Sequence, residues 1–230
     1  MVSASCSTMG NPGRSLSRLV LLALFGGFLF LPPGPLLAQS DYAHHNITVG
    51  GGAAIPGGGL KDVFSPSGFV RVGYGYRITK NFQADAGIDL GFRAAGVKDF
   101  FESEFGPLRI RDYEYMVPFG GRVVLPFAEE RFRVFVGGGG AYLRYSERSS
   151  QPFANAGIRL DCPICNARSG WGYYGLAGGN VAITPGSHFR IGGTVNFYRA
   201  TTDGQSVGFL PAGPSADRWI NAAIELTFAF

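Results

Sequence analysis

Hydrophobic residues return every second position through most of residues 46–230, and no segment there carries a helical stripe. The last segment shows the period best. Ile220, Ala222, Ile224, Leu226, Phe228 and Phe230 fall on one face, and Asn221, Ala223, Glu225, Thr227 and Ala229 on the other. The same alternation sets Val70, Val72, Tyr74, Tyr76 and Ile78 against Arg71, Gly73, Gly75 and Arg77. It sets Phe82, Ala84, Ala86, Ile88, Leu90 and Phe92 against Gln83, Asp85, Gly87, Asp89 and Gly91. Tyr113, Tyr115, Val117, Phe119, Val123 and Leu125 share a face opposite Glu114, Gly120 and Arg122. Ile191, Val195 and Phe197 lie opposite Arg190, Thr194, Asn196 and Tyr198. A first strand is predicted from Asn46 to Ile55. Two Gly-rich strands, Phe132 to Tyr145 and Trp171 to Ile183, alternate too weakly for their faces to be assigned, and Pro118 inside a strand is expected to mark a bulge.

That makes eight strands, and the links between them set the architecture. The links after even strands are short: Thr79–Asn81, Pro126–Arg131 and Thr184–His188. Those after odd strands are generally longer: Pro56–Ser67, Arg93–Asp112, Ser146–Gly170 and Thr201–Ser215. Such alternation collects the tight turns at one rim and the long loops at the other, as in an outer-membrane barrel. A strand of about eleven residues at ~3.3 Å rise, tilted ~40°, spans roughly 28 Å, close to the apolar band of such barrels. The predicted fold is therefore all-β: a closed, eight-stranded, antiparallel, up-and-down transmembrane β-barrel whose interior side chains fill. Aromatics including Phe69, Tyr74, Tyr76, Phe92, Tyr113, Trp171 and Trp219 fall towards strand ends, where girdles sit.

Composition agrees. Charged residues are 16% of the chain, against about a quarter in an ordinary soluble domain, while Gly (36) and Phe (20) are abundant. Arg14 and Arg18 precede an apolar run, Leu19 to Phe30, and a Pro/Gly-rich stretch ending Leu36-Leu37-Ala38. This is the layout of a secretory signal peptide over residues 1–38, with the barrel domain over 39–230. The run is too short for a spanning helix, and Pro32, Pro33 and Pro35 break it. The chain has 20 basic side chains, two of them in that leader, against 16 acids. The mature part is nearly neutral and offers no basic block to nucleic acid.

At the C-terminus, Ile224, Leu226, Phe228 and Phe230 resemble the insertion signal of bacterial outer-membrane proteins. The chain from about Ser40 to Phe230 resembles the small eight-stranded outer-membrane barrel family typified by OmpA-like and opacity-type surface proteins. The resemblance implies insertion by the outer-membrane barrel assembly machinery, an outer-membrane location, and roles from structural support to adhesion and small-solute passage. In one respect the sequence departs from OmpA-like members: no soluble wall-binding domain follows the barrel strands before Phe230.

The inward faces carry Arg71, Arg77, Asp85, Asp89, Arg122, Arg190 and Glu225. Asp85 and Arg122 lie at similar depth, as do Asp89 and Arg71. These charges read as a paired network filling a narrow lumen, or as a channel constriction. Cys162 and Cys165 form Cys-Pro-Ile-Cys in the longest predicted loop. With no second such pair and no histidine nearby, zinc coordination is incomplete, and a loop disulfide is expected in an oxidising compartment. His44, His45 and His188 fall at the short-turn rim, away from any outer-rim chemistry. No catalytic constellation, metal site or cofactor site is predicted. The expected function is a structural or surface-interaction barrel in contact with outer-membrane lipid and lipopolysaccharide, with any extracellular ligand met by the loops 93–112 and 146–170. A narrow solute channel is the alternative, and an outer-membrane lipid-modifying enzyme a more distant one.

Overall fold

The computed structural model describes residues 42–230 apart from 63, 93–100, 104–105, 129, 151–160, 185–186 and 209. The leader expected over 1–38, and with it the domain boundary, lies outside the described residues. Among them are nine strands: β1 (His45–Gly57), β2 (Ser67–Thr79), β3 (Phe82–Phe92), β4 (Phe101–Ser103), β5 (Gly106–Phe127), β6 (Phe132–Ser150), β7 (Asp161–Ala182), β8 (Phe189–Gly204) and β9 (Ser215–Ala229). Each barrel strand pairs antiparallel with its neighbours in sequence, β3 pairs with β5, and β1 pairs with β9. The ring of eight is closed, so no ladder edge is left along the barrel wall. Strand β4 is an addition to the eight predicted strands. Its three residues pair only with Gly106, Pro107 and Leu108 at the far end of β5.

The strands also outrun prediction. β5 and β7 have 22 residues and β6 has 19. Their outer portions carry Arg109, Arg111, Glu147, Arg148 and Asn166, which dilute the hydrophobic period while the backbone ladder runs on. Much of what reads as long loop is therefore strand standing beyond the apolar band. Cys162 and Cys165 lie in this extension of β7 rather than in a loop. Between the pairs Glu147–Asn166 and Ser149–Cys162 the register shifts, and the two cysteines, joined by a disulfide, close the bulged backbone. The links 79–82, 127–132 and 182–189 stay short, as predicted.

Pro118 causes no bulge. On its β6 side it pairs with Ala141, but the β3–β5 ladder is interrupted between Ala86–Phe119 and Asp89–Met116 without a change of register. Lacking an N–H, proline omits a rung and leaves the alignment intact.

Burial alternates strictly along β8 and β9. The structure also assigns the two Gly-rich strands: Val134, Val136, Trp171, Tyr173 and Ile183 are exposed, while Phe135, Leu143, Tyr145, Tyr174 and Leu176 are buried in the lumen. The exposed apolar band begins at Phe127, Phe132, Phe189 and Phe228 beside the short turns and ends near Trp171, Phe197 and Ile220. Two expected girdle aromatics, Phe69 and Trp219, instead point inward and are buried, because their positions share the parity of Arg71 and Asn221. Among the described residues no helix is long and apolar enough to cross a membrane.

Candidate functional site: the barrel lumen

The lumen is organised by register. Asp89 on β3 is the ladder partner of Arg71 on β2, and Arg71 and Glu225 on β9 both flank Gly50 of β1. A side chain at Gly50 would meet the Ile224 carbonyl oxygen at 2.5 Å and Glu225 Cγ at 2.9 Å, so a glycine there lets the arginine cross to Glu225. Arg71 Nε and Nη2 donate to the two Asp89 oxygens at 2.6 and 2.5 Å, and Nη1 donates to Glu225 at 2.8 Å. Asp89 Oδ2 also accepts from Tyr198 Oη at 2.8 Å and from Asn221 Nδ2 at 2.9 Å. β3 and β8 stand on opposite sides of the eight-membered ring, so the Tyr198–Asp89 bond crosses the full width of the lumen.

Nearer the short turns, Arg122 Nε donates to Asp85 at 2.5 Å. Gln83 Nε2 donates to the other Asp85 oxygen at 2.6 Å, and Asn46 donates to Gln83 at 3.1 Å. Both predicted pairings, Asp85 with Arg122 and Asp89 with Arg71, are present. At the short-turn mouth Glu130, a turn residue with φ of 69°, collects Arg77 at 3.3 Å and Arg133 at 2.6 Å. Burial alone would raise the Glu130 carboxyl, but Arg77 and Arg133 hold it below its ordinary range. Arg77 also donates to the Lys80 carbonyl. Arg190 finds no carboxylate among the described residues; it donates to Asn180 Oδ1 at 2.7 Å and to the carbonyls of Glu130 and Arg131 at 2.8 and 3.1 Å. All seven predicted lumen charges thus face inward with partners.

Sequence reading missed the rest of this network. Glu130 sits in a turn with no periodic signal, and Tyr198 and Asn221 are legible as inward positions but not as partners of Asp89. It also missed the outer mouth. There the short 3₁₀ turn Gly58–Asp62 buries Leu60, and Phe64 packs on Tyr145 and edge-on against Trp219, at centroid distances of 5.5 and 5.6 Å. Trp219 Nε1 donates to Tyr145 Oη at 2.8 Å, and Val207 and Leu210 of the loop 205–214 are buried as well. Asp112, Glu114 and Asp217 face inward at this end.

Described residues line two small lumen cavities, of about 50 and 20 Å³, separated where Thr48, Arg122 and Glu225 line both. Each has room for a few waters at most. Among the described residues no group of three or more acidic, histidine or cysteine side chains is placed to hold a metal ion.

The terminal strand is held at its end. His45 and Phe230 exchange backbone hydrogen bonds at 2.8 and 2.9 Å, and their rings stack at 5.3 Å. Ile224, Leu226, Phe228 and Phe230 all point outward. His44, His45 and His188 stand at the short-turn rim, as the chain order predicts.

No family model and no curated protein matches this chain. Solved structures do resemble it. Neisserial surface protein A (NspA) has 10% identity over 84% of this chain and 100% of its own, with a TM-score of 0.48. Ail, the attachment invasion locus protein of Yersinia pestis, has 12% identity over 82% of this chain and 99% of its own, with a TM-score of 0.47. A major outer membrane protein from Thermus thermophilus has 12% identity over 82% and 99%, with a TM-score of 0.44.

Proposed function

We propose that this chain is a bacterial outer-membrane β-barrel whose membrane section is a filled scaffold, and whose business lies at its outer rim rather than along its axis. Phe, Val, Ile and Leu side chains are exposed right around the ring. In water such a surface would exceed by far the patches soluble monomers tolerate, and lipid is the solvent that suits it. In this reading residues 1–38 are removed on export. The assembly machinery engages the terminal strand through Ile224, Leu226, Phe228 and Phe230, and the long-loop rim faces the exterior. The extensions of β5, β6 and β7 then carry any specificity, for lipopolysaccharide or an extracellular ligand, and no catalytic step is assigned.

One observation carries the choice of scaffold over channel: Asp89, gripped by Arg71, Asn221 and, from across the lumen, Tyr198. A constriction meant for ions needs unpaired groups facing water, whereas here each Asp89 oxygen is occupied. Reconstituted in planar bilayers, the protein should be almost silent, and Arg122→Ala, which opens the wall between the two cavities, should raise conductance. Ohmic pores from the wild-type chain would overturn the scaffold reading in favour of a narrow channel. Fractionation with a band that shifts on boiling tests location and closure together, and unchanged lipid A in a deletion strain would dispose of lipid-modifying catalysis.

A further inference from the structure

Arginines on this barrel are mostly engaged. Those of the lumen have carboxylate or carbonyl partners, Arg131 lies over the Phe132 ring, and Arg148 lies over Tyr113. Arg199 on β8 and Arg218 on β9 differ. They are direct ladder partners, both exposed, and both on the lipid-facing parity, one outward step beyond Phe197 and Ile220. Among the described residues neither has a hydrogen bond, an ion pair or a ring contact. The row that contains them reads Gly57, Arg218, Arg199, Tyr173, with no acid in it. Asp217 faces the lumen, and Asp203 lies four residues further out along β8.

Two like charges directly opposite on a sheet repel, and the repulsion grows where lipid lowers the local dielectric. A pair so placed invites a shared anion. We propose that Arg199 and Arg218 form a clamp for the phosphate of a lipid headgroup in the outer leaflet. Two planar guanidinium forks on adjacent strands can each present paired N–H donors to one phosphate, a geometry a lysine pair would not reproduce. Tyr173 stands beside Arg199 at the depth where aromatic rings meet headgroups. On the other flank the Arg218 stem lies over Gly57 and Gly58, the latter at φ of 63°: a side chain at Gly58 would meet Arg218 Cδ at 3.5 Å, so the glycines leave the guanidinium room to swing. The inference rests on the proposed orientation, with the long-loop rim outward.

The test uses the folded full-length barrel in phosphatidylcholine vesicles, with bisphosphoryl lipid A as probe and the dephosphorylated lipid as control. Binding should weaken about fivefold for Arg199→Gln or Arg218→Gln and about thirtyfold for the double variant. Arg131→Gln, which removes the same charge at the opposite rim, should leave it unchanged. Unchanged binding in the double variant, or equal loss in Arg131→Gln, would overturn the clamp. Competition by millimolar inorganic phosphate would make it a site for free anion and overturn the lipid source. Each variant is first shown to shift on boiling, so a misfolded chain is not scored. If cell fractionation places the protein elsewhere while the vesicle result stands, the location reading falls and the clamp survives.

Discussion

The two ends of the lumen bury charge in opposite ways. At the short-turn end and through the middle, opposite signs meet: Arg77 and Arg133 on Glu130, Arg122 on Asp85, Arg71 on Asp89 and Glu225. At the outer end the inward charges nearest the cap are acids. Among the described residues neither Glu114 oxygen has a hydrogen-bond partner, nor does Asp112 Oδ1. Asp217 is met by hydroxyls, those of Thr202 and Ser215 at 2.6 Å each. Arg168, the buried arginine at this end, spends its donors on the Thr202 hydroxyl and on the carbonyls of Thr202, Pro211 and Gly213. It straps loop 205–214 across the mouth instead of neutralising the acids. The inner end is held by opposite charges in contact, while the outer end is covered by Leu60, Phe64 and Trp219.

The sharpest way to break this contrast is to remove one acid from each end. Asp89→Ala leaves Arg71 with Glu225 alone, takes the shared acceptor from Tyr198 and Asn221, and should lower stability by about 3–5 kcal/mol, measured by guanidinium unfolding in vesicles. Glu114→Gln exchanges a buried carboxyl that has no partner among the described residues for an isosteric amide and should leave stability level or higher; an equal loss in both would erase the distinction. Next in size is Glu130→Ala. It deprives Arg77 and Arg133 of their shared acceptor in a partly exposed turn, for a loss of about 1–2 kcal/mol.

A smaller effect separates the ends by pH. Asp112 lies three residues beyond Tyr115, outside the apolar band. Burial, with Glu147 facing it across the β5–β6 ladder, pushes its carboxyl up to about 7. The folded state therefore keeps a proton that the unfolded chain releases near the ordinary value of about 4. The stability this confers is full below that value and is lost as pH rises through about 7. Amide exchange in the outer part of β5 and β6 should quicken, relative to its intrinsic rate, as pH rises through that value, and Asp112→Asn should flatten the trend. Glu130, held low, behaves with the opposite sign, and its contribution disappears only in acid. Smallest of all, replacing Cys162 and Cys165 by Ser should speed exchange around the β7 bulge and leave the barrel's unfolding midpoint unchanged.

How much of this is legible in the sequence differs by region for physical reasons. Between the rims each strand has lipid on one face and the lumen on the other, so the two-residue period records the fold directly. Arg71, Asp89, Arg122 and Glu225 stand out there as polar breaks in apolar strands. In β6 and β7 the period fades because glycines such as Gly137 to Gly140 carry no side chain to mark a face, and only the register shows which way they point. Beyond the band both faces are polar, so strand and loop look alike, and the extensions of β5 and β7 read as loop.

By itself, then, the sequence determined the number and direction of the barrel strands, the sorting of short and long links, and which charges turn inward. Those follow from a backbone period that every residue repeats. Only the tertiary structure decided who partners whom across the lumen, that Trp219 and Phe64 stop the outer mouth, and that Arg199 stands opposite Arg218. Those depend on ring closure and register, which bring together residues as far apart in the chain as Arg71 and Glu225 and which no local pattern encodes.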